Sequence, residues 1–299
     1  MTSVGFLGLG IMGSRMAASL QREGFAVTGW TRTPGKAQAW AQEQDGARAA
    51  ATPAEAAAGA DIVISMVVDG AQVEAILLDG DDAAAAGAAA GTLFIDMSTI
   101  APADARRIGA TLAERGHAFV DAPVTGSSPR AENGTLTIMA GGTDEDIARA
   151  QPAFAAMGET IVHVGALGHG QIIKLINNAV SAANAATLAQ ALVMGAGTGV
   201  DLDAVVEILA AGSGNSTMVG LKAESMRQHD YATLFKTEHM LKDVRLCLEE
   251  AQAAGVPFPA ANAARDALVA AVGRGYGDAD FAAMVEAYEG LAGLRIGDV

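Results

Sequence analysis

In the first half of the chain short, wholly apolar runs alternate with Ala-rich stretches whose apolar positions recur at helical spacing, and in the second half only the helical spacing persists. The runs predict strands at 4–7, 26–30, 62–67, 92–96, 118–120, 136–140 and 161–164, with helices starting near residues 11, 36 and 73. This is the βαβ rhythm of a parallel sheet. After residue 164 no strand is expected, and long helices are broken at Gly199, at Gly212-Ser213-Gly214 and at Val256-Pro257-Phe258-Pro259. The pattern therefore predicts an α/β domain over 1–164 and an all-α domain over 165–299. Three glycines in Gly165-Ala-Leu-Gly-His-Gly170 mark the boundary, and a long helix joins the two and supplies residues to the cleft between them. The low-complexity run 83–90 is alanine apart from Gly87, and alanine, the best helix former, predicts an undistinguished surface helix or loop.

Residues 175–200 carry no charge and are long enough to cross a bilayer. Asn177, Asn178, Asn184 and Gln190, with small residues on several faces, instead describe a helix buried in protein, so no membrane is expected as a partner. Such an uncharged helix in a helical domain points to a homodimer or homotetramer. With 299 residues, 51% apolar residues and 36 glycines, disorder and fibrous repeats are excluded. The net charge of −15 excludes affinity built on neutralising nucleic-acid phosphates. An anionic ligand must find a locally basic or amide-lined pocket. The single cysteine, Cys247, permits no intramolecular disulfide and no multi-Cys metal site, and reads as a small apolar helix residue. Together with an N-terminus lacking a basic region before its apolar stretch, it makes the cytoplasm the expected location. The histidines, among them His169 beside the uncharged helix, show no paired spacing for a metal, and none is expected.

Gly8-Leu-Gly10-Ile11-Met12-Gly13 follows the first strand and opens a helix, the context that gives G-x-G-x-x-G its meaning. Gly8 permits the tight turn, Gly10 lets a pyrophosphate reach the backbone, and Gly13 lets the helix lie on the strand, with free amides at the helix start facing the phosphates. The fold expected of the first domain is thus Rossmann-type. The second strand should end with an acid if the ribose 2′-hydroxyl of NAD is to be gripped, but it ends Gly29-Trp-Thr31-Arg32-Thr33. Arg32 can clamp a 2′-phosphate, with Thr31 and Thr33 hydrogen-bonding to it and Lys36 adding charge. NADP(H) is the preferred cofactor, with NAD(H) second.

Lys174, Asn177 and Asn178 stand at i, i+3 and i+4, early in the uncharged helix. A lone ammonium is costly to bury, and desolvation lowers its pKa from about 10.4 toward the operating range of a general acid/base. The other reading of the spacing is a lysine snorkelling at a helix start, with asparagines bonding to loops.

Four blocks, Gly5–Gly13, Asp121-Ala-Pro-Val-Thr-Gly126 running on to Gly134-Thr-Leu136, Gly168–Asn178 and Lys242-Asp243, are similar to the β-hydroxyacid dehydrogenase family. This is the group of 3-hydroxyisobutyrate dehydrogenase, tartronate semialdehyde reductase and the glyoxylate/succinic semialdehyde reductases. The resemblance implies that Lys174 is the catalytic lysine and Asn178 positions it and the substrate. It implies that the Thr125-Gly126-Ser127 turn holds a substrate carboxylate, that Thr99 meets the nicotinamide side of the cofactor, and that Val67 and Val68 line the adenosine path. By the same resemblance Lys242 is a second cofactor-contacting lysine and Phe235 an aromatic at the pocket wall. A plain surface pair between Lys242 and Glu238, four residues earlier, is the competing reading. The family usually has Ser-Gly-Gly where this chain has Thr125-Gly126-Ser127, and Arg130 stands where relatives have small residues, within reach of a substrate anion.

The sequence thus reads as an NAD(P)-dependent oxidoreductase interconverting a short β- or ω-hydroxyacid and its semialdehyde. A 6-phosphogluconate dehydrogenase is disfavoured by length and by Asn177 in place of a histidine, and an imine reductase by Lys174. The alternative from another class is a non-catalytic NADP-binding sensor or scaffold on the same fold.

Overall fold

The computed structural model describes residues 1–297, which fall into two units, the first Met1–Lys174 and the second from Leu175 onward. In chain order the first contains β1 (Ser3–Leu7), α1 (Ile11–Arg22), β2 (Ala26–Trp30), α2 (Lys36–Glu43), β3 (Arg48–Ala49), α3 (Pro53–Ala57), β4 (Ile62–Ser65), α4 (Gly70–Leu78) and α5 (Ala84–Gly87). It continues with β5 (Leu93–Asp96), α6 (Pro102–Glu114), β6 (Ala118–Asp121), β7 (Val124–Thr125), α7 (Ser127–Asn133), β8 (Leu136–Gly141), α8 (Asp144–Met157) and β9 (Gly158–Gly165). The strands pair in the order β3-β2-β1-β4-β5-β6-β8-β7, with β9 on β8. From β3 to β6 neighbours are parallel, whereas β8 is antiparallel to β6 and β7. The chain turns from β1 toward β2 on one side and β4 on the other. This switch point leaves a crevice outside the carboxyl ends of the strands, where dinucleotides bind in such sheets.

The central strands are apolar but for polar residues at their ends, because helices cover both faces of the sheet. Phe6, Leu9, Met16, Leu20, Ile64, Ile95 and Phe154 form the core on one side, and Leu7, Val63, Leu77, Phe94 and Ile108 on the other. Gly29 is required inside β2, since a Cβ there would stand 2.9 Å from the ring of buried Trp40. The run 83–90 is less plain than expected: Ala83 and Ala84 are buried, and a Cβ on Gly87 would meet the Ala54 carbonyl oxygen at 2.1 Å. Its alanines are there for close packing against α3 as much as for helix propensity.

The second unit is helical: α10 (Leu202–Ala211), α11 (Thr217–Gln228), α12 (Thr237–Ala253), α13 (Pro259–Gly273), a 3₁₀ turn at Phe281–Met284 and α14 (Val285–Ala292). The long α9 (His169–Thr198) crosses the division between units. The division between units falls inside α9, at 174/175, where the glycine-rich segment and the first turn of α9 are fastened to the first unit. By length and composition α9 could cross a membrane, but just over half of its most apolar window, 56%, is buried within the protein. Ala179, Ala182, Ala185, Ala186 and Ala189 join Leu188, Leu192, Met226, Val244 and Leu268 in the core of the second unit.

Within this unit Lys222 and Asp280 form a buried ion pair at 2.7 Å, and the second Asp280 oxygen accepts the amides of Leu234 and Phe235 at 3.0 Å each. Asp280 thereby holds the strap that leads into α12. Removing either ion would leave the other uncompensated in the core.

Candidate active site

The loop between β1 and α1 is built from three glycines in three different surroundings. Gly8 has φ +107° and donates its amide to the Trp30 carbonyl at 2.8 Å, and a Cβ on it would lie 2.3 Å from the Met66 carbonyl oxygen. A Cβ on Gly13 would lie 1.9 Å from the Gly8 oxygen, so helix and strand approach too closely for any side chain. Around Gly10 the space is empty to 4 Å, so nothing in the protein itself demands a glycine there. That open space leaves room for a ligand to reach the backbone. Gly10 is also the N-cap of α1, where no side chain caps the helix and the first turn holds no acid. Gly10 and Ile11 are exposed and Met12 half-buried, which leaves the orphan amides of the helix start open to an anion. The loop fits a dinucleotide pyrophosphate.

At the end of β2 the Trp30 indole donates to the Ala51 carbonyl at 3.1 Å. Thr31 is half-buried, and Arg32, Thr33 and Lys36 are exposed. Past β4 the chain turns at Val67, whose amide donates to Ser98 Oγ at 2.9 Å, and Val68 is exposed. That contact ends β4 at Ser65 instead of at Val67. Past β5, Asp96 is wholly buried and accepts from Ser65 Oγ at 2.7 Å and from the Ser98 amide at 3.2 Å, which shapes the loop bearing half-buried Thr99.

Thr125 ends β7. Gly126 (φ 136°) and Ser127 (φ 59°) then turn the chain into α7. A serine in the left-handed region is strained, and strain of this kind clusters at functional sites. Arg130 lies one turn into α7, folds its stem over Gly126 and pairs with Glu159 of β9 at 3.6 Å, so its charge is already engaged by an acid.

Lys174 is only 8% exposed, in the second turn of α9. One turn later Asn178 donates Nδ2 to Asp243 Oδ2 at 2.6 Å and accepts from Asn177 Nδ2 at 3.1 Å. Asp243, on α12, also pairs with Lys242 at 2.9 Å. Glu238 pairs with Lys236 and His239. Lys242 lines a groove of 390 Å³ with Leu241, Arg245 and Val272. Phe235 is half-buried on the strap that Asp280 holds.

Two residues that sequence reasoning did not single out fasten the start of α9. Asp121, at the end of β6, accepts the Gly168 amide on Oδ1 at 2.7 Å and the Gln171 amide on Oδ2 at 2.9 Å. Burial pushes its carboxyl up to about 6, against the pull of those two amides and with a further push from Asp96. Gly141 and Gly170 allow the approach: a Cβ on either would fall within 2.7 Å of an Asp121 oxygen. The Gln171 side chain reaches back to the loop after β5. The only sequence hint was that an acid and a glutamine each sit in a block shared with relatives.

Among the described residues one cluster has metal-ligand chemistry, His229 with Glu286 and Glu289. Arg295 lies 3.3 Å from Glu286 and 4.0 Å from Glu289, and His229 lies 2.9 Å from Glu289, so a guanidinium already faces both carboxylates.

Comparison with known proteins agrees with this geometry. Residues 3–165 match the family model for the NAD-binding domain of 6-phosphogluconate dehydrogenase, and residues 168–288 the model described as NAD-binding of NADP-dependent 3-hydroxyisobutyrate dehydrogenase. The chain is 35% identical to an NAD-dependent L-serine dehydrogenase of Pseudomonas aeruginosa, over 98% of this chain and all of that protein. It is 33% identical to the chloroplastic glyoxylate/succinic semialdehyde reductase 2 of Arabidopsis thaliana, over 95% of this chain and 79% of that protein. A solved Mycobacterium tuberculosis 3-hydroxyisobutyrate dehydrogenase, studied with L-serine, superimposes with a TM-score of 0.86 at 33% identity, covering 96% of this chain and 99% of that one. The chain belongs to the β-hydroxyacid dehydrogenase family. It is a pyridine-nucleotide-binding oxidoreductase of the hydroxyacid-dehydrogenase type.

Proposed function

We propose that this enzyme interconverts a short β- or ω-hydroxy carboxylate and its semialdehyde with NADP(H) as preferred cofactor and Lys174 as general acid/base. The observation that carries the reading is the placement of a nearly buried lysine one helical turn before Asn178 and one turn after the residue that fastens α9 to the strand ends. When bound, the nicotinamide supplies or takes the hydride. In reduction the Lys174 ammonium donates a proton to the carbonyl oxygen. In oxidation the neutral amine accepts the hydroxyl proton. Asn178, held by Asp243, orients that exchange. Thr125 Oγ1 and the amides of Gly126 and Ser127 receive the substrate carboxylate, while Phe235 walls the pocket.

Carboxylate-bearing substrates are named for the relatives: L-serine for one, succinic semialdehyde for another. The Arg32 guanidinium and the absence of an acid at the end of β2 support NADP(H) over NAD(H), although one relative is named as NAD-dependent. Gly8, Gly10, Ile11, Met12 and Gly13 hold the pyrophosphate, Thr31, Arg32 and Thr33 the 2′-phosphate, Val67 and Val68 the adenosine path, Thr99 the nicotinamide side, and Lys242 a further contact. Arg130 contributes to anion binding only if substrate displaces Glu159. Exposed Met194, Ile208 and Leu291 support a homodimer or homotetramer, to be read by light scattering, and one buried free cysteine suits the cytoplasm.

The test is single-turnover hydride transfer from NADPH by Lys174→Ala, against a panel of short aldehyde acids. The rate should fall about 10²- to 10⁴-fold with cofactor binding retained. A rate near that of the parent enzyme removes Lys174 from the mechanism, and no turnover by either protein leaves the non-catalytic binding role.

A further inference from the structure

We propose that Gln171 is a positioning residue for the reaction: its buried amide ties the loop bearing Thr99 to the helix bearing Lys174, and so sets the separation between the hydride side and the proton side of the site. This rests on the roles given above to Thr99 and Lys174. The Gln171 side chain is 0% exposed. Its Oε1 accepts the Ile100 amide at 3.0 Å and its Nε2 donates to the Ser98 carbonyl at 3.0 Å. These two peptide groups flank Thr99, so one side chain brackets that residue from both sides. Its own amide donates to Asp121 at 2.9 Å. A single residue in the first turn of α9 is therefore bonded to the ends of both β5 and β6.

Capping α9 requires only Asp121, which already satisfies the amides of Gly168 and Gln171. The two side-chain bonds of Gln171 do something else, because they reach a loop that α9 does not need for its own start. That loop continues the connection: Ser98 Oγ accepts the Val67 amide, which joins the turn after β4 to the same system. Lys174 follows three residues later, about 4.5 Å along the helix axis and on the same side. Any slack between Gln171 and residues 98–100 becomes a shift of the lysine relative to Thr99. The geometry calls for one donor and one acceptor on a single planar group. Glutamine supplies both, a carboxylate only the acceptor, and methionine neither.

The experiment compares Gln171→Met, Gln171→Glu and Lys174→Ala in the full-length enzyme with NADPH and its 4-deuterated form. For Gln171→Met, kcat per folded active site should fall about 10- to 100-fold. The KM for substrate and the Kd for NADPH should change little, and the deuterium isotope effect on kcat should rise as hydride transfer becomes limiting. For Gln171→Glu, a protonated carboxyl can again donate to the Ser98 carbonyl and accept from Ile100, so its activity relative to the parent enzyme should climb as pH falls. Asp121 bonds the same residue and Asp96 shapes the same loop. Both remain in parent and variant, so what the ratio reads is the new carboxyl together with the coupling it exerts on Asp121, Asp96 and Lys174. A purely structural role would lower the folded fraction while leaving kcat per active site, the isotope effect and the relative pH profile unchanged. Parent-like kcat in Gln171→Met overturns the inference. If that variant does not fold, a flat relative profile in Gln171→Glu overturns it. If Lys174→Ala turns over at the parent rate, the underlying reading has failed; if Lys174→Ala is impaired and the Gln171 variants are not, only the positioning role has.

Discussion

Two helices in the first unit begin at the carboxyl edge of the sheet, and their starts are finished in opposite ways. At α1 the N-cap is a glycine, no side chain caps the amides, no acid lies in the first turn, and the space above Gly10 is empty. At α9 the buried Asp121 carboxylate fills the equivalent position and takes two amides. The same electrostatic property, a partial positive charge at a helix start, is offered to a ligand in one case and consumed by the protein in the other. The difference follows from what each helix must do. On the function proposed above, the first receives a pyrophosphate that comes and goes, whereas the second holds a lysine in a fixed register.

Closing the open helix start gives the largest effect. Gly10→Asp would place a carboxylate where the pyrophosphate binds, and NADPH affinity should fall by at least about 100-fold in a fluorescence titration. Opening the closed one comes next. Asp121→Ala removes two charge-assisted bonds and should cost about 2–3 kcal/mol in urea unfolding of the apo enzyme.

Asp121→Asn isolates the titration. Because the folded carboxyl sits at about 6, above its ordinary 3.8, its contribution to stability is fully present below about pH 4 and lost as pH rises through 6. The stability of the parent minus that of the asparagine variant should therefore shrink by about 3 kcal/mol between about pH 4 and pH 7, at roughly 1.4 kcal/mol per pH unit. Arg32→Ala should lower the NADPH-to-NADH ratio of kcat/KM by about tenfold. An unchanged ratio would remove Arg32 from cofactor choice. The smallest effect belongs again to Gly10→Asp: with no nucleotide present, the new cap should leave stability unchanged or raise it by a few tenths of a kcal/mol. A large loss of stability there would mean that Gly10 serves the fold and not the ligand.

The two helix starts also differ in how far they could be read from the sequence. The α1 start is local: strand, glycines and helix occupy adjacent residues, and β1 and β2 lie within a residue of the predicted positions. The α9 start joins residues 121 and 171, which no local pattern connects. The two-residue strands β3 and β7 were missed because so short a run has no periodicity. The start of α4 was placed near residue 73 although it begins at Gly70. There the signal was present, since Asp69 caps the Gln72 amide at 2.9 Å and an aspartate before a helical run is an N-cap pattern. Lys174 and Asn178 stood out by their spacing, and their roles came only with the family resemblance. Asp243, which holds Asn178, is brought to it by the folding of α12 against α9 and was legible only as part of a short block.

The distribution of aromatic residues has an optical consequence. Both tryptophans lie in the nucleotide-binding unit, Trp30 beside the Arg32 loop and Trp40 packed on Gly29 with its indole donating to the Ser14 carbonyl. All three tyrosines, Tyr231, Tyr276 and Tyr288, lie in the helical unit. Emission excited at the red edge of the absorption band therefore reports on the sheet unit alone, while far-ultraviolet circular dichroism is dominated by helices from both units. If the two traces part during denaturation, the units melt separately, and the chain carries a built-in label for its sheet half without an added dye.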